Sequence, residues 1–192
     1  VEKQVIVADD EYMIVDIDIT SMYPTCSINN RVYPEHLGDE FCDIYKELFE
    51  LRKSFDKKSA ENAMIKLALN GSYGNSNNEF HPFYDPKFTM TITVNGQLSI
   101  YMMVERLLSI PDLQVLAVNT DGITFKCRRE HEQLFTDKIA EFERISKFQF
   151  ERCDYSKMVV RDVNSYTAVK LDGSLKQKGA YEWRDLPNHK NQ

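Results

Sequence analysis

Residues 15–25 of the chain read VDIDITSMYPT, and the rest of the sequence can be interpreted around them. Its first half alternates apolar and acidic residues, which is typical of a β-strand, where residues two apart share a face. We therefore expect Asp16 and Asp18 on an acidic face and Val15 and Ile17 on a dry one. A carboxylate at the end of a buried strand is well placed to bind a hard cation. An acidic strand edge without function explains the same pattern, so the stretch alone leaves both interpretations open.

Length and composition are those of an ordinary folded domain. The 192 residues suit one domain, or one domain with a large insertion, and can bury a sizeable core. Apolar residues make up 42% and charged residues 28%, so disorder is not expected. No apolar run approaches the roughly 18 residues that cross a bilayer, so no membrane partner is predicted.

The net charge of −6 argues against a surface that binds nucleic acid everywhere. Lysine and arginine nevertheless cluster at 52–58, 126–129 and 170–178, which allows a local basic groove. The four cysteines are well separated and have no histidine at zinc-ligand spacing, which favours reduced thiols in a cytoplasmic protein. The sequence starts at Val1 without a basic-then-apolar leader, and we expect it to be a piece of a longer chain.

Hydrophobic periodicity predicts a mixture of helices and strands. Runs at 5–8 and 12–18 flank an acidic turn and indicate a hairpin, and a short helical turn and a loop follow Pro24. Apolar residues recur at helical spacing over 40–55, and Ser59 can cap a second helix that ends near Tyr73. Further segments are helices over about 90–110 and 130–147, a hairpin over 113–127, and strands over about 148–152, 158–169 and 175–183.

Two predicted strands end in an acid. Asp18 ends the strand over 12–18, and Asp121 lies at the tip of the hairpin over 113–127. Two carboxylates from adjacent strands are the minimum set for a pair of magnesium ions, which prefer oxygen ligands and share substrate phosphates. The pattern therefore suggests phosphoryl transfer.

Cations on the two helices over 40–73 could bind those phosphates. If the helices fold back around Ser59, Arg52 lies level with Lys66, because each is seven positions away. Lys66, Asn70 and Tyr73 also form one stripe along the second helix. Such a stripe is either a solvated face or a binding surface, and the glycines beside it favour close approach by a flat group.

Three stretches resemble, in order, the motifs of family B DNA polymerases. Residues 18–25, DITSMYPT, resemble motif A, D-x-x-S-L-Y-P-S, and residues 66–74, KLALNGSYG, resemble motif B, K-x-x-x-N-S-x-Y-G. Residues 119–122, NTDG, resemble motif C, D-T-D-S. NSY at 164–166 and KQKG at 176–179 are similar to the primer-gripping K-x-Y region and the basic strand after it. The resemblance covers nearly the whole chain, and its NTDG form is similar to that of divergent bacteriophage polymerases.

The resemblance implies an α+β fold: an antiparallel-sheet polymerase palm backed by helices, with a short two-helix fingers insertion. Residues 1–39 would form the first part of the palm, 40–74 the fingers, and 75–192 the second part of the palm. No exonuclease or thumb is expected in this chain, and both would belong to the same full-length protein.

The resemblance also implies a DNA-directed DNA polymerase. Such an enzyme uses two Mg²⁺ ions to transfer a deoxynucleotide from a dNTP to a primer 3′-hydroxyl, with release of pyrophosphate. Its partners would be primer–template DNA and the dNTP, and its location would be the cytoplasm of a bacterial host in phage DNA replication.

Roles carry over from the resemblance residue by residue. The metal ligands would be Asp18, the Ile19 carbonyl and Asp121, and Tyr23 would be a steric gate that excludes a ribose 2′-hydroxyl. The residues that would contact the incoming nucleotide are Ser21, Met22, Tyr23, Arg52, Lys66 and Asn70, with Lys66 also catalytic. The residues that would contact the DNA are Tyr73 and Gly74 under the nascent base pair, and Thr120, Tyr166, Lys176 and Lys178 along the primer.

Several positions depart from the motifs. Asn119 replaces the first Asp of motif C, Gly122 and Gly71 replace serines, and Asn164 replaces a basic residue. In the family the second acid of motif C is the direct ligand, so Asp121 keeps the mechanism intact.

Other functions remain open. One alternative is a reverse-transcriptase-like or RNA-synthesising palm, and another is a degenerate palm that binds nucleotide or nucleic acid without catalysis. An acidic structural domain would require three coincidental motif matches. Asp16 is extra relative to the motifs, and is either an acid that supports Asp18 or an edge residue.

Overall fold

A computed structural model of the chain describes residues 4–162 and 164–182, and these form the mixed α+β fold that the sequence predicts. The strands are β1 (Gln4–Val7), β2 (Tyr12–Ile19), β3 (Gln114–Val118), β4 (Gly122–Arg128), β5 (Phe150–Asp162), β6 (Ser165–Lys170) and β7 (Leu175–Lys178). The α-helices are α1 (Met22–Asn30), α2 (Glu40–Lys53), α3 (Ala60–Gly74), α4 (Pro86–Leu107) and α5 (Glu132–Ser146). None of the helices in the described part of the chain is both long and apolar enough to cross a membrane.

The strands form one antiparallel sheet in the order β3-β4-β2-β5-β6-β7, and β1 also pairs with β5. The predicted hairpin over 113–127 is confirmed as β3 and β4. The register between β2 and β4 sets Asp18 opposite Gly122 and Asp16 opposite Thr124. Both acids of the opening stretch therefore lie on an interior strand of the sheet, with Asp18 near the end of that strand.

The predicted hairpin between the first two strands is wrong in its pairing. The turn itself forms, because the Asp9 carboxylate accepts hydrogen bonds from the Glu11 and Tyr12 N–H groups at 2.9 and 2.6 Å. Beyond the turn, however, β1 pairs with β5, and Val5 lies opposite Val159. The thirteen-residue β5 offers β1 a backbone edge that a prediction from local sequence does not consider.

The predicted strand boundaries after residue 148 are also wrong. β5 runs unbroken over 150–162, so it joins the predicted strand over 148–152 to the start of the next one. The chain then turns at Asn164, whose N–H donates to Oδ1 of Asp162 at 3.0 Å. This turn divides the predicted strand over 158–169 between β5 and β6. The predicted last strand ends early, at Lys178, and its predicted end at Trp183 lies outside the described residues.

The helix predictions hold with shifts at their ends. Ser59 caps α3 as predicted, with its side chain accepting from the Asn62 N–H at 3.1 Å. α1 is a nine-residue helix rather than a short turn, because Pro24 lies in its first turn, where a missing N–H costs little. α4 begins at Pro86, earlier than predicted, because the preceding Asp85 carboxylate accepts from the Phe88 N–H at 3.0 Å.

β2 is buried on both faces, which corrects the expected division into a dry face and an acidic one. Ile14 and Asp16 share the predicted acidic face, yet they are 0% and 1% exposed. Val15 and Ile17 on the other face are fully buried as expected. Within β2, only Tyr12 and Asp18 retain partial exposure.

The chain divides into two compact units. Among the described residues, the sheet unit contains 4–18, 104–140, 151–162 and 164–182, and its core includes Ile14, Tyr155, Met158, Tyr166 and Ala168. The helical unit contains residues 19–103 and 141–150, and Tyr45, Ile65 and Leu69 pack between α2 and α3. The domain boundaries implied by the resemblance, at 39 and 74, stay a prediction.

Candidate functional site

In the sheet unit, Asp18 at the end of β2 faces Gly122 at the start of β4. A Cβ atom built on Gly122 would lie 1.8 Å from Oδ1 of Asp18, far inside van der Waals contact. The Asp18 carboxylate therefore occupies the space that any larger residue at position 122 would fill. This contact gives a steric reason for glycine at the motif C position where the sequence departs from serine.

Asp121 is exposed at the β3–β4 turn, where the hairpin pattern predicts it. The turn is closed by the Asn119 N–H, which donates to the Gly122 carbonyl at 2.7 Å. Burial raises the pKa of Asp18, and the charges of Asp16 and Asp121 raise it further. Because Asp18 lies opposite Gly122, the residue after Asp121, the two predicted ligands are at the same end of the sheet.

The donor set at this end of the sheet suits a hard cation in kind and in charge. Asp18 and Asp121 both offer carboxylate oxygens, and the Asp121 charge raises the pKa of Asp18, an effect that a bound cation would offset. Within the described ranges, no three His, Cys, Asp or Glu side chains gather into a metal cluster. A magnesium ion here would therefore complete its shell with main-chain carbonyls, water and substrate phosphates, which is its usual habit.

Asp16 is a buried acid with a full set of donors, so the interpretation as an edge residue is wrong. Oδ1 accepts from the Thr124 hydroxyl at 2.6 Å, and Oδ2 accepts from the Tyr155 hydroxyl and from Lys176 Nζ, each at 2.7 Å. Burial and the Asp16 charge raise the pKa of Tyr155, which keeps its hydroxyl a donor. A charge that is 1% exposed is stable in the fold only with such partners.

Lys176 links the two acids of β2. Its Nζ donates to Oδ2 of Asp16 and also to Oδ2 of Asp18, the latter at 3.2 Å. Burial disfavours the charged amine, but the hydrogen bond and charge of Asp16, together with Asp18, raise the pKa of Lys176 overall. The sequence assigns Lys176 to the primer and does not reveal this contact. The only available signal was the alternation of LKQK, which places Lys176 and Lys178 on one face of β7.

The other predicted primer residues differ in accessibility. Thr120 is exposed at the β3–β4 turn, and Lys178 is exposed on β7, opposite Tyr166. Tyr166 itself is only 2% exposed. Its hydroxyl lies near Asn119 but has no well-formed hydrogen bond among the described residues.

In the helical unit, the predicted sugar gate is stacked on a residue of motif B. The rings of Tyr23 and Tyr73 lie 3.9 Å apart between centroids and 12° from parallel. The Tyr73 hydroxyl is in turn hydrogen-bonded to Oγ1 of Thr93 at 2.8 Å. Tyr23 is thus held flat against a ring that is itself anchored to α4.

Arg52 lies at the N-terminus of α1, where the sequence predicts nucleotide-binding backbone groups. Its guanidinium donates to Oγ of Ser21 at 3.0 Å, and Ser21 is the N-cap of α1 with a left-handed backbone, φ 51°. Main-chain N–H groups of Ser21 and Met22, a helix N-terminus and a guanidinium together favour an anion.

Asn62 fixes Arg52, and sequence reasoning missed it. Its side-chain oxygen accepts from Arg52 Nε at 3.0 Å, and its Nδ2 donates to the Arg52 and Phe55 carbonyls at 3.1 and 3.3 Å. The sequence predicts that Arg52 lies level with Lys66, but Arg52 contacts Asn62, one helical turn earlier on α3. The reason is that the chain reverses over residues 54–59 rather than at Ser59 alone.

The remaining motif B residues lie along α3. Lys66 and Asn70 are exposed, Tyr73 is half-buried, and Gly74 ends the helix and is exposed. No atom lies within 4 Å of a Cβ built on Gly74, so its surroundings are open. The predicted stripe therefore includes accessible side chains, and its role stays a prediction.

Comparisons with known proteins address the fold. Neither a protein-family model nor a curated protein sequence matches the chain. Among solved structures, the chain is similar to the family B DNA polymerase from the hyperthermophilic archaeon Pyrobaculum calidifontis, with a TM-score of 0.65 and 15% sequence identity. The similarity covers 93% of this chain and 29% of the polymerase chain. At this identity the likeness shows the fold alone, and the chain therefore has a polymerase-like α+β fold.

Proposed function

We propose that the chain is a catalytic part of a template-directed DNA polymerase of the family B type. It would transfer a deoxynucleotide from a dNTP to a primer 3′-hydroxyl and release pyrophosphate. The main support is the pair Asp18 and Asp121 at one end of the sheet of a polymerase-like fold: Asp18 lies opposite Gly122 on β4, and Asp121 is the residue just before Gly122 in the β3–β4 turn. A role in bacteriophage replication, and an exonuclease and a thumb elsewhere in a longer protein, are supported by the motif resemblance alone.

Magnesium would be held by Asp18, Asp121 and the Ile19 carbonyl. Two bound ions would lower the pKa of the attacking hydroxyl and stabilise the charge on the leaving phosphate. The chain's own task at this site is to hold two carboxylates at one end of the sheet. Gly122 and Lys176 contribute by fixing the orientation of Asp18.

The helical unit would bind the triphosphate. Main-chain N–H groups of Ser21 and Met22 would hold phosphate oxygens, and Arg52 would add a fixed positive charge. Because Asn62 already holds Arg52 in place, little side-chain entropy is lost when the anion binds. Lys66 and Asn70 would reach the nucleotide from the exposed side of α3.

The sugar and the DNA would be recognised by other side chains. Tyr23, held flat by Tyr73, would block a 2′-hydroxyl, and Tyr73 and Gly74 would lie under the nascent base pair. Thr120, Lys176 and Lys178 would contact the primer, with Tyr166 packed below them. Contacts of this kind do not depend on base sequence, as template copying requires.

Asp121→Asn in the full-length protein tests the proposal. We expect primer extension to fall by at least about a hundredfold, because the amide is a poor ligand for a hard cation. Circular dichroism and thermal unfolding should match wild type, since Asp121 is exposed. Asp137→Asn, which changes an exposed acid on α5, is the matched control and should extend primers normally. Near-normal extension by the Asp121 variant would refute the assignment.

A palm that binds nucleotide without catalysis is the second candidate. It is favoured by the ion pair that engages Asp18 with Lys176, and by Asn119 in place of an acid. Calorimetric titration of dNTP in Ca²⁺, followed by a turnover assay in Mg²⁺, separates the two functions. Binding without turnover in the full-length protein would favour this candidate.

A further inference from the structure

Lys176 is a partly buried cation that contacts Asp18, a predicted metal ligand. Its Nζ lies 2.7 Å from Oδ2 of Asp16 and 3.2 Å from Oδ2 of Asp18, and its side chain is only 22% exposed. A divalent cation bound to Asp18 and the Lys176 ammonium would repel each other. The two cations therefore compete for the same carboxylate.

Asp16 holds the lysine in this position. The Thr124 and Tyr155 hydroxyls fix the Asp16 carboxylate from β4 and β5, and Lys176 is its charged partner. Neutral donors alone would leave a buried negative charge without a counter-charge. Asp16 is thus a buried anchor for Lys176, two residues before Asp18 on the same face of β2.

Gly122 completes the arrangement from the opposite strand. The absence of a side chain at position 122 lets Oδ1 of Asp18 occupy the space beside β4. In that orientation the other oxygen, Oδ2, faces Lys176. The partly buried position of Lys176, its bond to Asp16 and the missing side chain at Gly122 together favour contact between the Lys176 amine and Asp18.

We propose that Lys176 is a built-in counter-ion that competes with a divalent metal for Asp18, and that Asp16 is the positioning residue that sets this competition. The inference rests on the proposed function, because it takes Asp18 and Asp121 as the metal ligands. Without metal, Lys176 offsets the repulsion between the carboxylates. When metal binds Asp18, Lys176 keeps its bond to Asp16 and remains paired in a partly buried place.

The proposal fixes the direction of three changes in metal affinity. Lys176→Met removes the competitor and should tighten binding by at least about tenfold, the lower limit set by screening as strong as that of bulk water. Asp16→Asn leaves Lys176 with Asp18 as its remaining charged partner and should weaken binding by a similar factor. The double variant, Lys176→Met with Asp16→Asn, removes one positive and one negative charge. Any tightening of metal binding that it shows therefore comes from lost competition and not from a change in net charge.

The experiment is titration of the intact protein with Mn²⁺, without nucleotide or DNA, followed by electron paramagnetic resonance of the free ion. Lys157→Met is the matched control, since it removes an exposed lysine from β5 and should leave affinity unchanged. Asp121→Asn identifies the site by abolishing the specific binding. Thermal unfolding is recorded for every variant. If Lys176→Met alone fails to fold, the double variant replaces it in the titration, because the double variant leaves no unpaired buried charge.

The expected result is Asp121-dependent binding that tightens in Lys176→Met and in the double variant. Asp121-dependent binding with equal affinity in wild type and in both Lys176 variants would overturn the counter-ion role and leave the proposed function standing. Tightening in the single variant but not in the double variant would overturn competition in favour of net charge. No Asp121-dependent binding in any variant would overturn both the inference and the proposed metal site.

Discussion

At the scale of single residues, the lack of a side chain at Gly122 leaves room for the Asp18 carboxylate. Gly122→Ala would place a methyl group where Oδ1 of Asp18 now lies, so the carboxylate must rotate away from Lys176. We expect the free energy of unfolding to fall by about 1–3 kcal/mol, the usual cost of overpacking. Urea denaturation measures this change in the free energy of unfolding.

Gly74→Ala is the comparison for that variant. Nothing lies within 4 Å of a Cβ at position 74, and the residue is helical, so alanine should be neutral or slightly stabilising there. Equal stability of the two alanine variants would mean that Asp18 moves without cost. The steric account of Gly122 would then fail.

Tyr23 is the residue that we propose selects the sugar of the incoming nucleotide. Tyr23→Ala should raise ribonucleotide insertion relative to deoxynucleotide insertion by at least about tenfold, because it removes the bulk that would exclude a 2′-hydroxyl. Tyr23→Phe keeps the ring and its stacking on Tyr73, so it should keep the discrimination. The ratio of kcat/KM values for the two nucleotides is the measurement. An unchanged ratio in the alanine variant would count against a gate and favour an RNA-synthesising palm.

At the scale of elements, the α2–α3 pair depends on one buried amide. Asn62→Ala would remove three side-chain hydrogen bonds and leave the Arg52 and Phe55 carbonyls without that donor. Asn62 is 5% exposed, so we expect a loss of about 1–3 kcal/mol in unfolding free energy. We also expect a higher KM for dNTP, because Arg52 loses its support. Asn77→Ala, in an exposed loop, should change neither quantity, and a wild-type KM in the Asn62 variant would separate Arg52 from nucleotide binding.

Elements with a local signal could be predicted from the sequence. The Ser59 cap, the β3–β4 hairpin and the periodicity of α2 and α3 depend on residues a few positions apart, and all three predictions are confirmed. The pairing of β1 could not be predicted in the same way. Its partner β5 lies about 150 residues further along the chain, and nothing within the first hairpin pattern excludes it.

The candidate site shows the same limit. The motif resemblance singled out Asp18 and Asp121, but not the role of Asp16. An acid on an alternating strand is expected to face water, and its burial here depends on hydroxyls and an amine 108, 139 and 160 positions away. Only the sheet order brings those donors together, so this network is a product of the fold rather than of a local pattern.

At the scale of the whole molecule, charge would limit how the proposed DNA substrate is bound. A net charge of −6 gives no general attraction to phosphates, so binding must depend on a few placed cations. In the sheet unit, Lys176 is engaged by two carboxylates, whereas Lys178 is exposed on the same face of β7. We therefore expect Lys178 to contribute more to DNA affinity than Lys176.

Lys178→Gln in the intact protein tests this expectation. Removing one phosphate contact should weaken binding similarly for all DNA sequences and should reduce the slope of log affinity against log salt by about 1. Fluorescence anisotropy with primer–template DNA at several salt concentrations measures both quantities. Lys157→Gln makes the same charge change on β5 and should leave the slope unaltered. If both variants have the same slope of log affinity against log salt as wild type, the phosphate contacts lie elsewhere. β7 would then contribute only Lys176, which binds the Asp16 and Asp18 carboxylates.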